Sequence, residues 1–181
     1  MYGTVFSSRT ISLIGMPGVG KSTVGRHLAR RIGAEFTDTD ARIEQRIGCS
    51  IRAFFEQHGE ARFREIETEV LREVLTSENG VIATGGGVVL SQENRHLLRS
   101  RTVCVYLRAT PEDLFKRLRH DSKRPLLQVE DPLSRLRDLY ATRDPLYREA
   151  SHYALDSARG SFANLLGRVL MQLEVSGVIS Q

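Results

Sequence analysis

The sequence feature that most constrains this chain is a glycine-rich stretch that ends in lysine and serine. Residues 15–22 read Gly-Met-Pro-Gly-Val-Gly-Lys-Ser, which has the spacing G-x-x-x-x-G-K-S. Glycine lets consecutive backbone N–H groups turn inward, whereas a Cβ would block the turn or the approach of a phosphate. A helix that starts here would add its free N–H groups and positive dipole. The pattern predicts a phosphate-binding loop in which Lys21 reaches the β- and γ-phosphates and the Ser22 hydroxyl binds Mg²⁺.

The residues on either side of this loop favour the same interpretation. Residues 10–14 are typical of a short buried strand, and Val24, Leu28 and Ile32 recur every four residues, as on one face of a helix. Gly33 is a typical helix stop. A strand before the loop and a helix after it argue against a glycine-rich turn that merely carries a surface lysine. The residues expected to contact the nucleotide here are Gly15, Pro17, Gly18, Val19, Gly20, Lys21, Ser22 and Thr23.

Length and composition favour one globular domain. The chain has 181 residues, of which 40% are hydrophobic and 27% charged. No apolar run approaches the ~18 residues of a membrane span, and the first nine residues lack the apolar core of a signal peptide. Cys49 and Cys104 are far apart in sequence and fit no metal-binding or disulfide pattern. We therefore expect a cytoplasmic protein with reduced thiols and no membrane partner.

The net charge of +4 allows two classes of partner. Nine basic residues lie between Arg95 and Arg124, where only Glu112, Asp113 and Asp121 oppose them. A nucleic-acid-binding protein can have such a segment, but so can a small-molecule kinase that neutralises a polyphosphate and holds an anionic acceptor with arginine forks. Aromatic residues do not alternate with the basic ones, so we expect no nucleic-acid partner.

A second candidate strand leads into a pair of carboxylates. Residues 35–38 have the pattern of a short strand that continues into Thr39-Asp40. If the extended conformation continues, Asp38 and Asp40 project to the same side, where two carboxylates near a phosphate site could serve metal and proton chemistry. The alternative is that Asp40 only caps a helix that begins near Ala41.

The next segment predicts two helices and a charged pair. Ser50 is a candidate N-cap for residues 51–57, and Gly59 separates this turn from a longer amphipathic helix. Arg64 and Glu67 are three residues apart on that helix and can pair on one flank. The spacing favours a solvated surface pair over a functional one.

Three glycines follow a third candidate strand. Residues 81–84 read as a buried strand, and Gly85-Gly86-Gly87 come directly after it. Consecutive glycines are costly in backbone entropy, so they indicate either a hard turn or a ligand pressed against the main chain. Both interpretations stay open from the sequence.

The remaining chain completes an alternating pattern of strands and helices. Strands are expected at 102–107 and 153–156, and helices at 111–119 with Thr110 as cap, at 133–150 with a break near Pro145, and around 165–173. Residues 120–132 lose periodicity and predict a mobile surface loop. Five strands separated by helices predict a mainly parallel sheet covered on both faces. Ligands bind at the carboxyl ends of such strands, so the phosphate loop, the carboxylate pair and the glycine run should converge in one cleft.

Taken together, these motifs resemble the shikimate kinase family, small P-loop enzymes of the nucleoside monophosphate kinase type. The resemblance spans roughly residues 11–170, and the combination is far more specific than the phosphate loop alone. The matching pieces are Gly15–Ser22; Asp38-Thr39-Asp40; Gly59-Glu60 with Phe63-Arg64 and Glu67; Thr84-Gly85-Gly86-Gly87; Arg124-Pro125-Leu126-Leu127; and Arg143 with Pro145-Leu146-Tyr147.

The resemblance implies an α/β, three-layer P-loop fold with a central five-stranded parallel sheet flanked by helices, plus a mobile lid. Residues 1–181 would form one kinase domain, with a substrate-binding region at about 38–67 and the lid at about 118–132 as insertions within it. The implied reaction moves the γ-phosphoryl group of ATP onto the 3-hydroxyl of shikimate. The implied partners are ATP, Mg²⁺ and shikimate, and we expect a monomer.

The resemblance also assigns roles to residues. Asp40, Lys21 and Arg124 would be catalytic, with Asp40 as the base for the acceptor hydroxyl and Arg124 reaching the transferring phosphate from the lid. Ser22 and Asp38 would hold Mg²⁺. The acceptor would contact Asp40, Arg64, Gly85, Gly86, Gly87 and Arg143, with the two arginines on its carboxylate and Glu67 orienting Arg64. Arg117, Arg159 and the loop 156–161 would line the adenine.

Three rival functions remain. Another small-metabolite kinase of the same fold, such as a gluconate or nucleoside monophosphate kinase, would share most of these features. A nucleotide-dependent switch or a P-loop protein that binds nucleic acid is disfavoured, because the chain has no N-K-x-D guanine motif and no stacking aromatics beside its arginines. An inactive homologue is disfavoured because every catalytic position is filled. The sequence has no strand that ends in a Walker-B-type aspartate, and the resembled family also lacks one.

Overall fold

Strands and helices alternate along the chain. The computed structural model describes residues 5–6, 9–77, 80–119 and 129–180. Its strands are β1 (Val5–Phe6), β2 (Ile11–Ile14), β3 (Glu35–Asp38), β4 (Gly80–Ala83), β5 (Val103–Arg108), β6 (Tyr153–Asp156) and β7 (Ile179–Ser180). Its α-helices are α1 (Lys21–Ile32), α2 (Thr39–Ile47), α3 (Ile51–Ser77), α4 (Gln92–Arg101), α5 (Pro111–Leu118), α6 (Pro132–Ala150) and α7 (Phe162–Val175), and Val88–Leu90 form one 3₁₀ turn.

Five of these strands form one parallel sheet, in the order β3-β4-β2-β5-β6. This confirms the predicted α/β architecture. The register places Leu13 of β2 and Asp38 of β3 opposite Ala83 of β4, so these three strands end within one residue of one another. The carboxyl ends of the three strands therefore open onto the same edge of the sheet. A separate antiparallel pair joins β1 to β7 and ties the two ends of the chain together.

Apolar residues of the sheet and helices form the core in two clusters. The larger one surrounds β2 and β5 and includes the predicted face of α1, where Val24, Leu28 and Ile32 are buried. The smaller one joins α2 and α3 to β4 through Ile82. Its buried members are Ile43, Phe54, Phe63, Ile66, Val70, Val74 and Ile82. Because this second cluster holds α2 and α3 against the sheet, it also fixes the side chains that these helices present at the strand ends.

Most predicted boundaries are confirmed at the capping residues. Gly33 adopts a left-handed conformation with φ of 67° and ends α1. The Ser50 hydroxyl accepts from the Ala53 amide, and the Thr110 hydroxyl accepts from the Asp113 amide. Gly59 has φ of 80° and ψ of 171° within α3, so it interrupts the helix where the sequence predicts a separation.

Helix α4 was absent from the sequence-based expectations. Ser91 caps it by accepting from the Asn94 amide, and that serine is the signal that could have located it. Leu97 and Leu98 are the only apolar residues in this helix, and both are buried, which explains why the periodicity is weak. Residues 120–128, which include Arg124 and most of the expected lid, lie outside the described residues. Within the described ranges, no helix is long and apolar enough to cross a membrane.

The predicted break at Pro145 is wrong. Helix α6 runs from Pro132 to Ala150 with Pro145 inside it. Proline removes one helical hydrogen bond and crowds the preceding turn, but contacts on either side of it hold the helix together. Asp144 accepts a hydrogen bond from the Tyr106 hydroxyl at 2.8 Å, and the fully buried Tyr147 stacks on the Tyr106 ring. Tertiary contacts with β5 therefore override the local preference.

A continuous α6 predicts that Pro145→Ala stabilises the protein. Pro145 is exposed, so its removal leaves no cavity, while alanine restores the missing amide donor. We expect the free energy of unfolding to rise by about 1–2 kcal/mol after allowing for the greater entropy of the unfolded chain. Urea denaturation measures this value, with Arg135→Ala on the exposed face of the same helix as a control that should change it by less than about 0.5 kcal/mol. No gain for Pro145→Ala would indicate a helix broken at this point.

Candidate active site

A cleft of about 500 Å³ lies at the carboxyl ends of β2, β3 and β4. It brings together the three motifs that the sequence places directly after these strands. The lining residues are Pro17, Gly18, Gly20, Lys21, Ser22, Thr23, Asp38, Asp40, Thr84, Gly85 and Gly86. The predicted convergence is thus observed for the phosphate loop, the carboxylate pair and the glycine run.

The phosphate loop depends on glycine at three positions. Gly15, Gly18 and Gly20 have φ of 150°, 84° and 98°, which residues with a Cβ rarely adopt. At Gly15 a Cβ would also lie 2.5 Å from the Leu107 carbonyl oxygen of β5. Gly20 is the N-cap residue of α1, and no side chain caps that helix. The amino end of α1 therefore keeps its backbone donors directed at the cleft.

Lys21 is held beneath this loop by the loop's own backbone. Its ammonium group donates hydrogen bonds to the carbonyl oxygens of Gly15 at 2.8 Å and Met16 at 2.9 Å. The side chain is only 8% exposed. A buried ammonium group beside the backbone N–H donors of the loop gives this end of the cleft a positive electrostatic potential, which suits a polyphosphate.

Asp38 joins the phosphate loop to α2. One carboxylate oxygen accepts from the amides of Asp40 at 3.0 Å and Ala41 at 3.4 Å and so caps the helix. The other accepts a 2.5 Å hydrogen bond from the Ser22 hydroxyl. Magnesium binds in proteins through one or two carboxylates, with phosphate and water oxygens as its other ligands. The adjacent oxygens of Ser22 and Asp38 fit this requirement.

Asp40 reaches the cleft by a different route from the predicted one. The extended conformation does not continue past Asp38, because α2 begins at Thr39 and places Asp40 in its first turn. The alternative in which Asp40 caps a helix starting near Ala41 is also wrong, since Asp38 is the cap. Burial and the nearby Asp38 carboxylate raise the pKa of Asp40, while Lys21 and Arg64 oppose this shift. Asp40 is therefore a carboxylate whose basicity is increased by its surroundings.

Close approach, not an unusual backbone conformation, explains the three consecutive glycines. None of them has a positive φ. A Cβ on Gly85 would lie 2.6 Å from the Asp40 carboxylate oxygen, and one on Gly86 would lie 2.6 Å from Pro17 Cδ. A Cβ on Gly87 would clash with the Arg64 guanidinium. The glycine turn, residues 85–87, thus lets the Asp40 carboxylate, the phosphate loop and Arg64 each contact its backbone closely.

Arg64 is oriented by carboxylates on its own helix. It donates to the Glu67 carboxylate at 2.8 Å and pairs with Glu60 at 3.2 Å. Glu67 is only 3% exposed, so the expected solvated pair is wrong. Burial raises the pKa of Glu67, and the Arg64 guanidinium opposes that shift. The sequence could not predict this burial, because it arises when α3 packs against α2, α4 and the 3₁₀ turn.

Arg143 approaches the same turn from helix α6. Its Nε atom is buried and finds no hydrogen-bond partner among the described residues. The guanidinium lies close enough to Tyr147 and Glu67 to influence the pKa of each. Tyr147 itself donates a 2.5 Å hydrogen bond to the Gly86 carbonyl. An arginine with an unused buried donor beside Arg64 and the glycine turn is well suited to a carboxylate ligand.

The residues expected to line adenine lie together but outside the lining of this cleft. Arg117 donates to the Ser157 carbonyl at 2.6 Å and so fixes the loop after β6. Arg159 pairs with Asp156 at 3.4 Å but is 86% exposed. Arg168, which sequence reasoning missed, donates to the carbonyls of Asp156 and Arg159.

Comparison with known proteins identifies the family. The family model for shikimate kinase matches residues 17–174. The chain belongs to the shikimate kinase family. A shikimate kinase of Paracidovorax citrulli is 57% identical over 173 residues, which cover 93% of this chain and 94% of that protein. One from Burkholderia lata is 50% identical over 171 residues, covering 94% and 93% of the two chains.

Solved structures agree with this assignment. The shikimate kinase of Acinetobacter baumannii, in complex with shikimate, has a TM-score of 0.87 and 44% identity, covering 94% of this chain and 95% of that one. A gluconokinase from Sinorhizobium meliloti has a TM-score of 0.60 and 21% identity, covering 93% and 97%. The second likeness concerns the fold alone. The comparisons therefore favour shikimate kinase over the gluconate kinase considered from the sequence.

The raised pKa of Asp40 predicts that Asp40→Asn is more stable than the wild type at neutral pH. The folded protein holds the Asp40 proton more tightly than the unfolded chain, whose carboxyl has the ordinary pKa of 3.8. Ionised Asp40 therefore disfavours folding once the pH rises above that value. We expect the melting temperature of Asp40→Asn to exceed that of the wild type at pH 7.

Thermal denaturation from about pH 4.5 to about pH 8 tests this linkage. The stabilisation by Asp40→Asn should shrink as the pH falls toward the ordinary pKa. Asp138→Asn, on the exposed face of α6, is the control for replacing an aspartate by asparagine away from the cleft. A difference that stays constant with pH would contradict a raised pKa at Asp40.

Proposed function

We propose that this member of the shikimate kinase family transfers the γ-phosphoryl group of ATP to the 3-hydroxyl of shikimate, giving shikimate 3-phosphate and ADP. This reaction belongs to the biosynthesis of aromatic amino acids. The observation that carries the proposal is that Lys21 and Asp40 line one cleft, and that the glycine turn beside them is also in contact with Arg64. Lys21 would bind a triphosphate, Asp40 a hydroxyl and Arg64 a carboxylate.

The phosphate loop would hold the nucleotide. Backbone donors of residues 15–20 and the amino end of α1 would bind the β-phosphate, and Lys21 would lie between the β- and γ-phosphates. Lys21 would exchange its bonds to the loop carbonyls for phosphate oxygens, which are stronger acceptors because they are charged. Ser22 and Asp38 would hold Mg²⁺. When bound, this ion would neutralise charge on the phosphate oxygens.

Asp40 would position the acceptor hydroxyl and accept its proton. Phosphoryl transfer passes through a loose transition state in which charge spreads over the equatorial oxygens, so positioning and cations matter more than strong activation of the nucleophile. A carboxylate is a weak base, and the raised pKa of Asp40 brings it closer to the operating pH. Such a group contributes about 10²–10⁴ in rate.

Arg64 and Arg143 would bind the shikimate carboxylate. Arg64 is already aimed by Glu67, and Arg143 has a buried donor without a partner, so a carboxylate would satisfy both. Each charge-assisted hydrogen bond of this kind is worth about 1.5–3 kcal/mol. The absence of side chains at residues 85–87 lets Asp40, Pro17 and Arg64 approach the turn beside which the acceptor ring would lie.

Several finer features remain proposals. Arg124 would reach the transferring phosphate from a lid at about 118–132 that excludes water. Arg117, Arg159 and the loop 156–161 would contact adenine. We also propose that the protein acts as a monomer in the cytoplasm without a nucleic-acid partner, and that residues 1–181 form a single kinase domain.

A panel of acceptors tests the proposed reaction. Purified protein with Mg-ATP should release ADP in the presence of shikimate and not with gluconate, AMP or CMP. Asp40→Asn, prepared in parallel, controls for contaminating kinases and should lose about 10²-fold or more in turnover while still binding ATP. ADP release driven by gluconate or a nucleotide instead of shikimate would contradict the proposal, and near-normal turnover of Asp40→Asn would exclude Asp40 as the base.

A further inference from the structure

Helix α6 contacts the glycine turn through a tyrosine that has no role in the reaction described above. Tyr147 is fully buried, and its hydroxyl donates a 2.5 Å hydrogen bond to the Gly86 carbonyl. Burial raises the pKa of this hydroxyl above its ordinary value. The group therefore stays protonated at neutral pH and acts as a constant donor.

The Tyr147 ring is fixed by its neighbours. It stacks on Tyr106 of β5 with ring centroids 4.9 Å apart and planes inclined by 29°. The Tyr106 hydroxyl in turn donates to Asp144 on α6 at 2.8 Å, and Asp144 also pairs with Arg148. The central sheet therefore determines where the Tyr147 hydroxyl lies, and the hydroxyl determines where the Gly86 carbonyl lies.

Holding this carbonyl also sets the direction of an amide. The Gly86 carbonyl belongs to the peptide that joins Gly86 to Gly87, and in a trans peptide the C=O and N–H groups point in opposite directions. Glycine has no side chain to restrict its backbone, so this peptide needs an external constraint. In the described parts of the chain, backbone hydrogen bonds run from Val88 to Gly85 and from Leu90 to Gly87, but none uses the Gly87 N–H.

The same helix carries one of the arginines proposed to bind the acceptor carboxylate. Arg143 precedes Tyr147 by four residues, so both lie on one face of α6 about one turn apart. Arg64 touches the other side of the turn, where it takes the space that a Gly87 side chain would need. Tyr147 thus joins the helix that bears Arg143 to the backbone that lies against Arg64.

We propose that Tyr147 is a positioning residue for the acceptor, which rests on the function proposed above. By fixing the Gly86–Gly87 peptide it directs the Gly87 N–H toward the acceptor and keeps the glycine turn in register with Arg143. Tyr147 touches neither substrate nor nucleotide. Its loss should therefore weaken acceptor binding and leave nucleotide binding intact.

Tyr147→Phe removes the hydroxyl and keeps the ring. We expect about a tenfold increase in the dissociation constant for shikimate, measured by calorimetry without nucleotide, because the Gly86 carbonyl loses its donor and the peptide is no longer held. The KM for shikimate should rise in parallel, and the KM for ATP should stay within about twofold of the wild type.

Tyr106→Phe is the matched control. It also removes a buried hydroxyl from the same pair of stacked rings, but that hydroxyl binds Asp144 and not the glycine turn. We expect both variants to have a lower melting temperature than the wild type, and only Tyr147→Phe to bind shikimate more weakly. Equal weakening by Tyr106→Phe, or normal shikimate affinity in Tyr147→Phe, would overturn the proposal.

A measurement on the wild type keeps the proposal testable if Tyr147→Phe does not fold. Hydrogen–deuterium exchange of a peptide covering residues 85–90 should slow when shikimate alone is added, because the acceptor would cover the Gly87 amide. Unchanged exchange in that peptide would overturn the proposal. Turnover of shikimate by the wild type separates failure of the proposed function from failure of the positioning role. If the wild type does not turn over shikimate, the proposed function is wrong. If it does, and Tyr147→Phe binds shikimate as tightly as the wild type, only the positioning role is rejected.

Discussion

The nearly level ends of three neighbouring parallel strands are the constraint on which the site depends. Because Leu13, Ala83 and Asp38 lie in one row across β2, β4 and β3, the residues that follow each strand emerge side by side. A shift of one residue in either pairing would turn side chains to the other face and separate the carboxylates from the phosphate loop. The hydrogen bond from Ser22 to Asp38 directly links the phosphate loop after β2 to the carboxylate pair at the end of β3.

Asp38 and the glycine turn show how closely the segments are packed. Asp38 uses one oxygen to cap α2 and the other to hold the phosphate-loop serine, so one side chain fixes both the helix that carries Asp40 and the loop that carries Lys21. The glycine turn makes the opposite contribution, because it removes side chains where Asp40, Pro17 and Arg64 approach. The cleft thus places the Lys21 ammonium and two carboxylates, Asp38 and Asp40, beside a turn without side chains.

Local patterns were sufficient to predict the sheet, the phosphate loop and most helix caps, since these depend on periodicity and on glycine or proline at defined positions. Other features were missed. Asp40 lies on a helix for a local reason, because the Asp38 carboxylate accepts from the next amides and ends the strand. Glu67 is buried by the packing of α3, and α6 continues through Pro145 because Tyr106 and Tyr147 hold it. These last two features depend on tertiary contacts that local patterns cannot reveal.

The most direct test of the account is a crystal structure with Mg²⁺, a non-hydrolysable ATP analogue and shikimate bound. The account predicts the shikimate 3-hydroxyl within about 2.6–3.2 Å of the Asp40 carboxylate and facing the γ-phosphate, with the shikimate carboxylate between Arg64 and Arg143. A hydroxyl more than about 5 Å from Asp40, or a shikimate carboxylate turned toward Lys21, would contradict it.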